Sequence, residues 1–237
     1  MHDRGIARRH RRNLMLPLML LSVFAIAGGA FAAPLNLVKK FPDLTSGSIK
    51  VTYDGAGAFV AGGTSTAFDL DGVPPPDHNI SAGGTPSKRW ELNMTLTPAT
   101  GALVSGTLNV TGTIPALGAN SGTLLTANLS AFGFPTGGGR IFEWLFTITG
   151  GDLAPQYGGL NRTGGIILDA TPGTGAVAFT GSFTQAFQNT TGTVGGGSAD
   201  SFFVPEPAST GLLLISGFTL MQGALVHGRR SARRESR

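Results

Sequence analysis

The sequence predicts an all-β fold, a single antiparallel β-sandwich or, as the alternative, a closed β-barrel. Three observations carry that expectation. Apolar residues between positions 33 and 203 recur at every second place over short runs. Gly-Gly, Pro-Gly and Asp-Gly pairs separate those runs, and no interior stretch follows the period of a helix.

Residues 48–54 place Ile49, Val51 and Tyr53 on one face, and residues 90–96 place Trp90, Leu92, Met94 and Leu96 likewise. In 102–114 the inward set is Val104, Leu108 and Val110. Further strands are expected at 65–70, 124–131, 140–149 and 165–170. In 176–187, Val177, Phe179, Phe183 and Phe187 alternate with Ala, Thr and Ser, the pattern of a half-buried strand. Asp71-Gly72, Gly83-Gly84, Gly150-Gly151 and Pro172-Gly173 supply turns.

Both chain ends stand apart from this pattern. Arg4, Arg8, Arg9, Arg11 and Arg12 form a basic leader, residues 14–27 are apolar, and Ala30-Phe31-Ala32 offers small residues at alternate positions. These are the parts of a secretory signal peptide, residues 1–32, cleaved between Ala32 and Ala33. Sec export is expected; Arg11-Arg12 before Asn13-Leu14 is the pair that a twin-arginine signal would use.

At the other end, Val204-Pro205-Glu206-Pro207-Ala208-Ser209 precedes a run, 208–226, without a charged residue. The two prolines hold the motif extended, and the run has about the 20 residues that one helical crossing needs. Arg229, Arg230, Arg233, Arg234 and Arg237 follow and, by the positive-inside rule, keep that end in the cytoplasm. Everything before Val204 then lies outside.

With the ends set aside, residues 33–203 carry seven bases against ten acids, a net charge of −3. The overall charge of +4 belongs to the leader and tail, so nothing points to nucleic acid, which needs a basic stripe on the folded part. Cysteine is absent, excluding disulfides, thiolate nucleophiles and thiolate metal sites. The span is long enough for one domain, 33–203, held by burial alone, about 70% of its unfolded surface.

Candidate chemistry is sparse. His78 is the one histidine between 33 and 203, so a His-rich zinc site has no ligands and a Ser-His-Asp triad would rest on it alone. It follows Pro74-Pro75-Pro76-Asp77, a stiff loop where a solvated turn residue is expected. Glu91 and Glu143 each neighbour a tryptophan, the setting of a glycosidase acid pair. Alternation turns both away from the apolar faces of Trp90 and Trp144, towards solvent and the bases Arg89 and Arg140. Asp69, Asp71 and Asp77 are the one set of carboxylates that calcium could use, although their spacing is not that of an EF-hand. No catalytic residue and no cofactor is expected.

The ordered motif, apolar run and basic end, 204–237, resemble the PEP-CTERM sorting domain of Gram-negative bacteria. Proteins of that kind are exported and processed at the tail by a membrane enzyme, exosortase. Gln222, Gly211, Gly217 and Gly223 within the run suit a segment that is removed. Residues 103–113, Ser121-Gly122-Thr123-Leu124-Leu125, Ala131-Phe132-Gly133-Phe134, Phe142-Glu143-Trp144-Leu145-Phe146 and 149–154 are similar to the all-β ectodomains found in that family. The resemblance implies signal peptidase, the Sec translocon, exosortase and, transiently, the inner membrane as partners. It implies a structural part in a biofilm matrix with exopolysaccharide, at the cell surface or outside it. A secreted carbohydrate-binding module and a secreted hydrolase are the alternatives, needing exposed aromatics and a convergent acid cluster respectively.

Overall fold

Strand pairing in the computed structural model, which describes residues 33–82 and 87–205, closes on itself. Among the described residues there are ten strands: β1 (Asp43–Tyr53), β2 (Ala58–Asp69), β3 (His78–Asn79), β4 (Arg89–Thr97), β5 (Ala102–Thr111), β6 (Thr123–Gly133), β7 (Ile141–Gly150), β8 (Thr163–Asp169), β9 (Phe187–Gln188) and β10 (Gly197–Phe203). Eight of them pair antiparallel in the order β1-β2-β4-β5-β6-β7-β8-β10, and β10 pairs with β1. The fold is a closed eight-stranded barrel, so the sandwich is corrected to its alternative. Alternation is the same in both architectures. What decides is that every long strand hydrogen-bonds to the next long strand in the chain, with no Greek-key crossover.

The barrel interior is filled by its own side chains, as eight strands allow. Trp90, Trp144, Phe59, Phe142 and Phe146 are wholly buried. Phe132 stacks on Trp144 at 5.2 Å between ring centroids, and Phe59 meets the same indole edge-on at 5.7 Å. Both indole N–H groups are satisfied inside: Trp90 Nε1 donates to Ser201 Oγ and Trp144 Nε1 to Met94 Sδ, each at 3.1 Å. Gly164 faces Phe146 across β7 and β8, and a Cβ there would strike the ring.

Two bulges change which residues face inward. In β1 the register slips between Ser46 and Ile49, where Ser48 has φ +55°. Leu44 and Ser46 therefore point inward before the slip, and Ile49, Val51 and Tyr53 after it. In β5 the slip falls opposite Thr95 and Leu96, leaving Val104 as the extra residue. Leu103 packs against the core in its place, and Val104, expected inward, is exposed.

The expected strand at 176–187 is corrected too. Only Phe187–Gln188 forms a strand there, pairing with Thr52 and Tyr53 of β1. The rest of the long β8–β10 connection, with its Gly-Ser-Thr content, folds over one end of the barrel. Phe179, Phe183 and Phe187 plug that end against Phe134 and Tyr53, with centroids 4.9–5.6 Å apart. Val177 stays exposed. Asn189 pins the connection to β1, accepting from Val51 N and donating to Ile49 O. The opposite, terminal end, where β1 starts and β10 stops, is closed by the 3-10 turn Ala154–Tyr157. Its Tyr157 hydroxyl donates to Ser201 O at 2.6 Å.

Plug packing sets a first prediction. Phe179→Asp puts a carboxylate among aromatic rings and costs about 4 kcal/mol or more, whereas Thr180→Asp, on the exposed neighbour, costs about 0.5 kcal/mol. Thermal melts of the two variants check it, and equal losses would rule out the plug.

Candidate functional site

The segment expected to be a sorting motif begins where the described sheet ends. Val204 N donates to Thr163 O at 3.2 Å, a last bond continuing the β8–β10 ladder, and Pro205 beyond it is exposed. Proline has no N–H to extend the ladder, so the described ladder ends there. Glu206, Pro207, the run 208–226 and the five arginines lie outside the described residues. So do Ala30 and Ala32. Ala33 is the first described residue and is exposed. No helix among the described residues is long and apolar enough to cross a membrane.

Residues 33–42 form a strap across the outside of the barrel. Ala33 and Leu35 lie against Gly133 at the end of β6, where a Cβ would collide with both. Asn36 has φ +54°, a conformation that Asn tolerates, and this turns two successive N–H groups towards one acceptor. That acceptor is Glu143, whose oxygens take Asn36 N at 2.9 Å and Leu37 N at 2.8 Å. Glu143 does point out of the barrel as alternation requires, but it is buried under the strap rather than solvated. Further along, Lys39 reaches Asp200 at 3.0 Å and Asp43 on the first residue of β1. Registers put Gly133, Glu143, Ile167 and Asp200 in one cross-strand row, so the strap crosses β6, β7, β8 and β10.

The Asp43 carboxyl in this cluster is strongly perturbed. It is fully buried, and one of its oxygens, Oδ1, has no hydrogen-bond partner among the described residues. Burial pushes it up to about 7, with Asp200 adding to the rise and Lys39 and Thr45 opposing it. Desolvation pulls the Lys39 ammonium down, but its bonds to Asp43 and Asp200 outweigh that and hold it above its ordinary value.

The acidic loop places Asp69, Asp71 and Asp77 with ligand oxygens within 4.8 Å of one another. Each carboxylate is already used to build the turn. Asp69 Oδ1 accepts Asp71 N and Gly72 N, Asp71 Oδ1 accepts Val73 N, and Asp77 Oδ2 accepts Leu70 N. Calcium wants six to eight oxygens, and this loop offers it three carboxylates with those bonds in place. His78 sits in the two-residue strand β3, opposite Phe68, rather than in a loop. Among the described residues it has no hydrogen-bonded serine or carboxylate. Glu91 pairs with Arg89 at 3.3 Å on the outer surface, a contact worth little, and Arg140 pairs with Asp169 at 3.1 Å. Glu91 and Glu143 make no pair.

Two recesses, of about 340 and 410 Å³, open at the plugged end. The first runs under the β8–β10 connection over Val51, Phe142, Phe187 and Asn189; the second lies beside Phe134 and Phe183. The plug bounds both, and the first reaches the inward-facing Val51 and Phe142. Phe41 is the one aromatic ring exposed by more than a third among the described residues, so there is no row of rings for a sugar to stack on.

No family model, no curated protein and no solved structure matches this chain.

The strap cluster yields a pH prediction. The Asp43 carboxyl is higher in the folded state than its ordinary 3.8, so the folded chain holds that proton more tightly than the unfolded one. The stability it gives is full below about pH 4 and is lost as pH rises through about 7, on the order of 2–4 kcal/mol. Melting temperature should fall over that window in the parent chain and stay flat in Asp43→Asn. Parallel curves would mean that Asp43 is ionised throughout.

Proposed function

We propose that this chain is an exported, non-enzymatic structural protein of the cell surface or extracellular matrix, delivered through its tail. The observation that carries this reading is the order of three unlike parts at the chain end: Pro205-Glu206-Pro207, an uncharged run, and five arginines. The signal peptide opens translocation and is removed before Ala33. The run 208–226 stops transfer, the arginines hold the end inside, and a membrane enzyme of the exosortase kind reads the motif and cuts nearby.

The fold is in keeping with this. The ladder ends at Val204, the first residue of the motif, and Pro205 after it is exposed. Among the described residues the barrel interior is occupied by tryptophan and phenylalanine side chains, which favours a passive domain over a secreted hydrolase or a ligand carrier. Exopolysaccharide is the matrix component with which such a domain would associate.

The two halves of the signal should fail separately. Replacing Arg229, Arg230, Arg233, Arg234 and Arg237 with serine removes the charge bias and disturbs topology. Replacing Pro205-Glu206-Pro207 with alanines leaves hydrophobicity and that bias almost intact, so insertion proceeds and processing alone stops. In a host with exosortase, mass spectrometry should find the parent chain shortened at both ends, beginning at Ala33, and the alanine variant in the inner membrane with its tail. A parent chain that keeps Arg229 to Arg237 in the membrane at steady state would make the tail a plain anchor.

A further inference from the structure

The link between the fold and the uncharged run is short. Pro205 is the last described residue and the run begins at Ala208, three residue steps or at most about 11 Å of extended chain. The polar layer on each side of a bilayer is about 5–7 Å deep. With 208–226 in the hydrocarbon, the terminal end of the barrel is held at headgroup level, before any cut is made. This step rests on the tail reading above.

The surface around the exit fits that position. Phe203 N donates to Pro42 O at 3.2 Å, which sets Phe41 beside the exit. The Phe41 ring lies against Gly72, in the turn that carries Leu70 and Val73. On the other flank Val204 bonds Thr163 and the Phe203 ring approaches Gly158, so the turn bearing Leu160 is adjacent as well. Phe41, Leu70, Val73 and Leu160 are exposed by 38, 39, 63 and 58%. Lys40 and Arg162 stand on the same flanks. The nearby Asp69, Asp71 and Asp77 turn oxygens back onto their own loop's N–H groups, and their charge favours zwitterionic over strongly anionic headgroups.

We infer that the terminal end of the barrel is a membrane-docking face. Phe41, Leu70, Val73 and Leu160 enter the boundary between headgroups and acyl chains, and the basic side chains lie at phosphate level. The sorting motif is thereby presented edge-on at the membrane surface, where a membrane-embedded enzyme works, and the plugged end faces away.

The chain has no cysteine, so single cysteines carry an environment-sensitive fluorophore cleanly. Full-length chain is reconstituted in vesicles of phosphatidylethanolamine and phosphatidylcholine, labelled in turn at Val73→Cys and Leu160→Cys, and at Val104→Cys and Val177→Cys near the plugged end. Nitroxide lipids should quench the first pair at least about twofold more than the second. The difference should survive a Gly-Ser insertion between Val204 and Pro205, which separates the face's own contact from the short tether. Chain that floats with the vesicles but shows four equal labels overturns the docking face alone, as does a difference that vanishes with the insertion. Chain that does not float overturns the tail reading and the docking face together.

Discussion

Closure of the sheet between β1 and β10 is the constraint on which the rest depends. Without that ladder, β1 and β10 would be open edges, and the strap would have no Asp200 beside Asp43 to bind with one lysine. Closure in turn depends on β10 being thin. Its inward residues are Ala199 and Ser201, and the space they leave is taken by the Trp90 indole and the Tyr157 hydroxyl, both of which bond Ser201. A larger side chain at 199 or 201 would meet rings that have nowhere to go. The aromatic core and the small-residue strand are therefore one design, and the last strand to be made locks the first.

That arrangement explains what could and could not be read from the residues. Strands are expected within seven of the eight barrel strands, most clearly where the inward residues are large, as in β4 and β7; in β2, expected only from residue 65, Ala61 and Ser65 hide the first half. β10 is not expected, because Gly197, Ala199 and Ser201 look like loop, although they are buried in the sheet. The first half of β1 is hidden for another reason. The slip at Ser46–Ile49 inverts the period, so Leu44 and Ser46 fall out of phase with Ile49, Val51 and Tyr53. The reverse error, a strand drawn through 176–187, came from rings that alternate but plug an end. Periodicity reports that side chains are buried on one side; it does not say whether a strand or a draped loop buries them.

The sites divide in the same way. The motif at 204–207 and the acidic loop are contiguous in the chain and could be named from it. The strap cluster brings residues 36, 37, 39, 43, 143 and 200 together, and only closure of the barrel makes them neighbours. Glu143 shows how far alternation goes: its outward direction was legible, but its burial was not, because what covers it is a segment without periodicity of its own.

A chain without cysteine has no disulfide to hold it, and closure of the barrel leaves no long strand edge among the described residues. Among the described residues the two edges that remain, β3 and β9, are two residues long. The strap and Val204-Pro205 are described segments next to the strands that could still add to a sheet, and each is limited differently. The strap lies crosswise and spends its N–H groups of Asn36 and Leu37 on a carboxylate. The tail meets Pro205 one residue after its last ladder bond, and a second proline follows at 207. Pro205, a member of the motif expected at 204–207, is thus also the residue at which the described ladder ends, because it has no N–H with which to continue it.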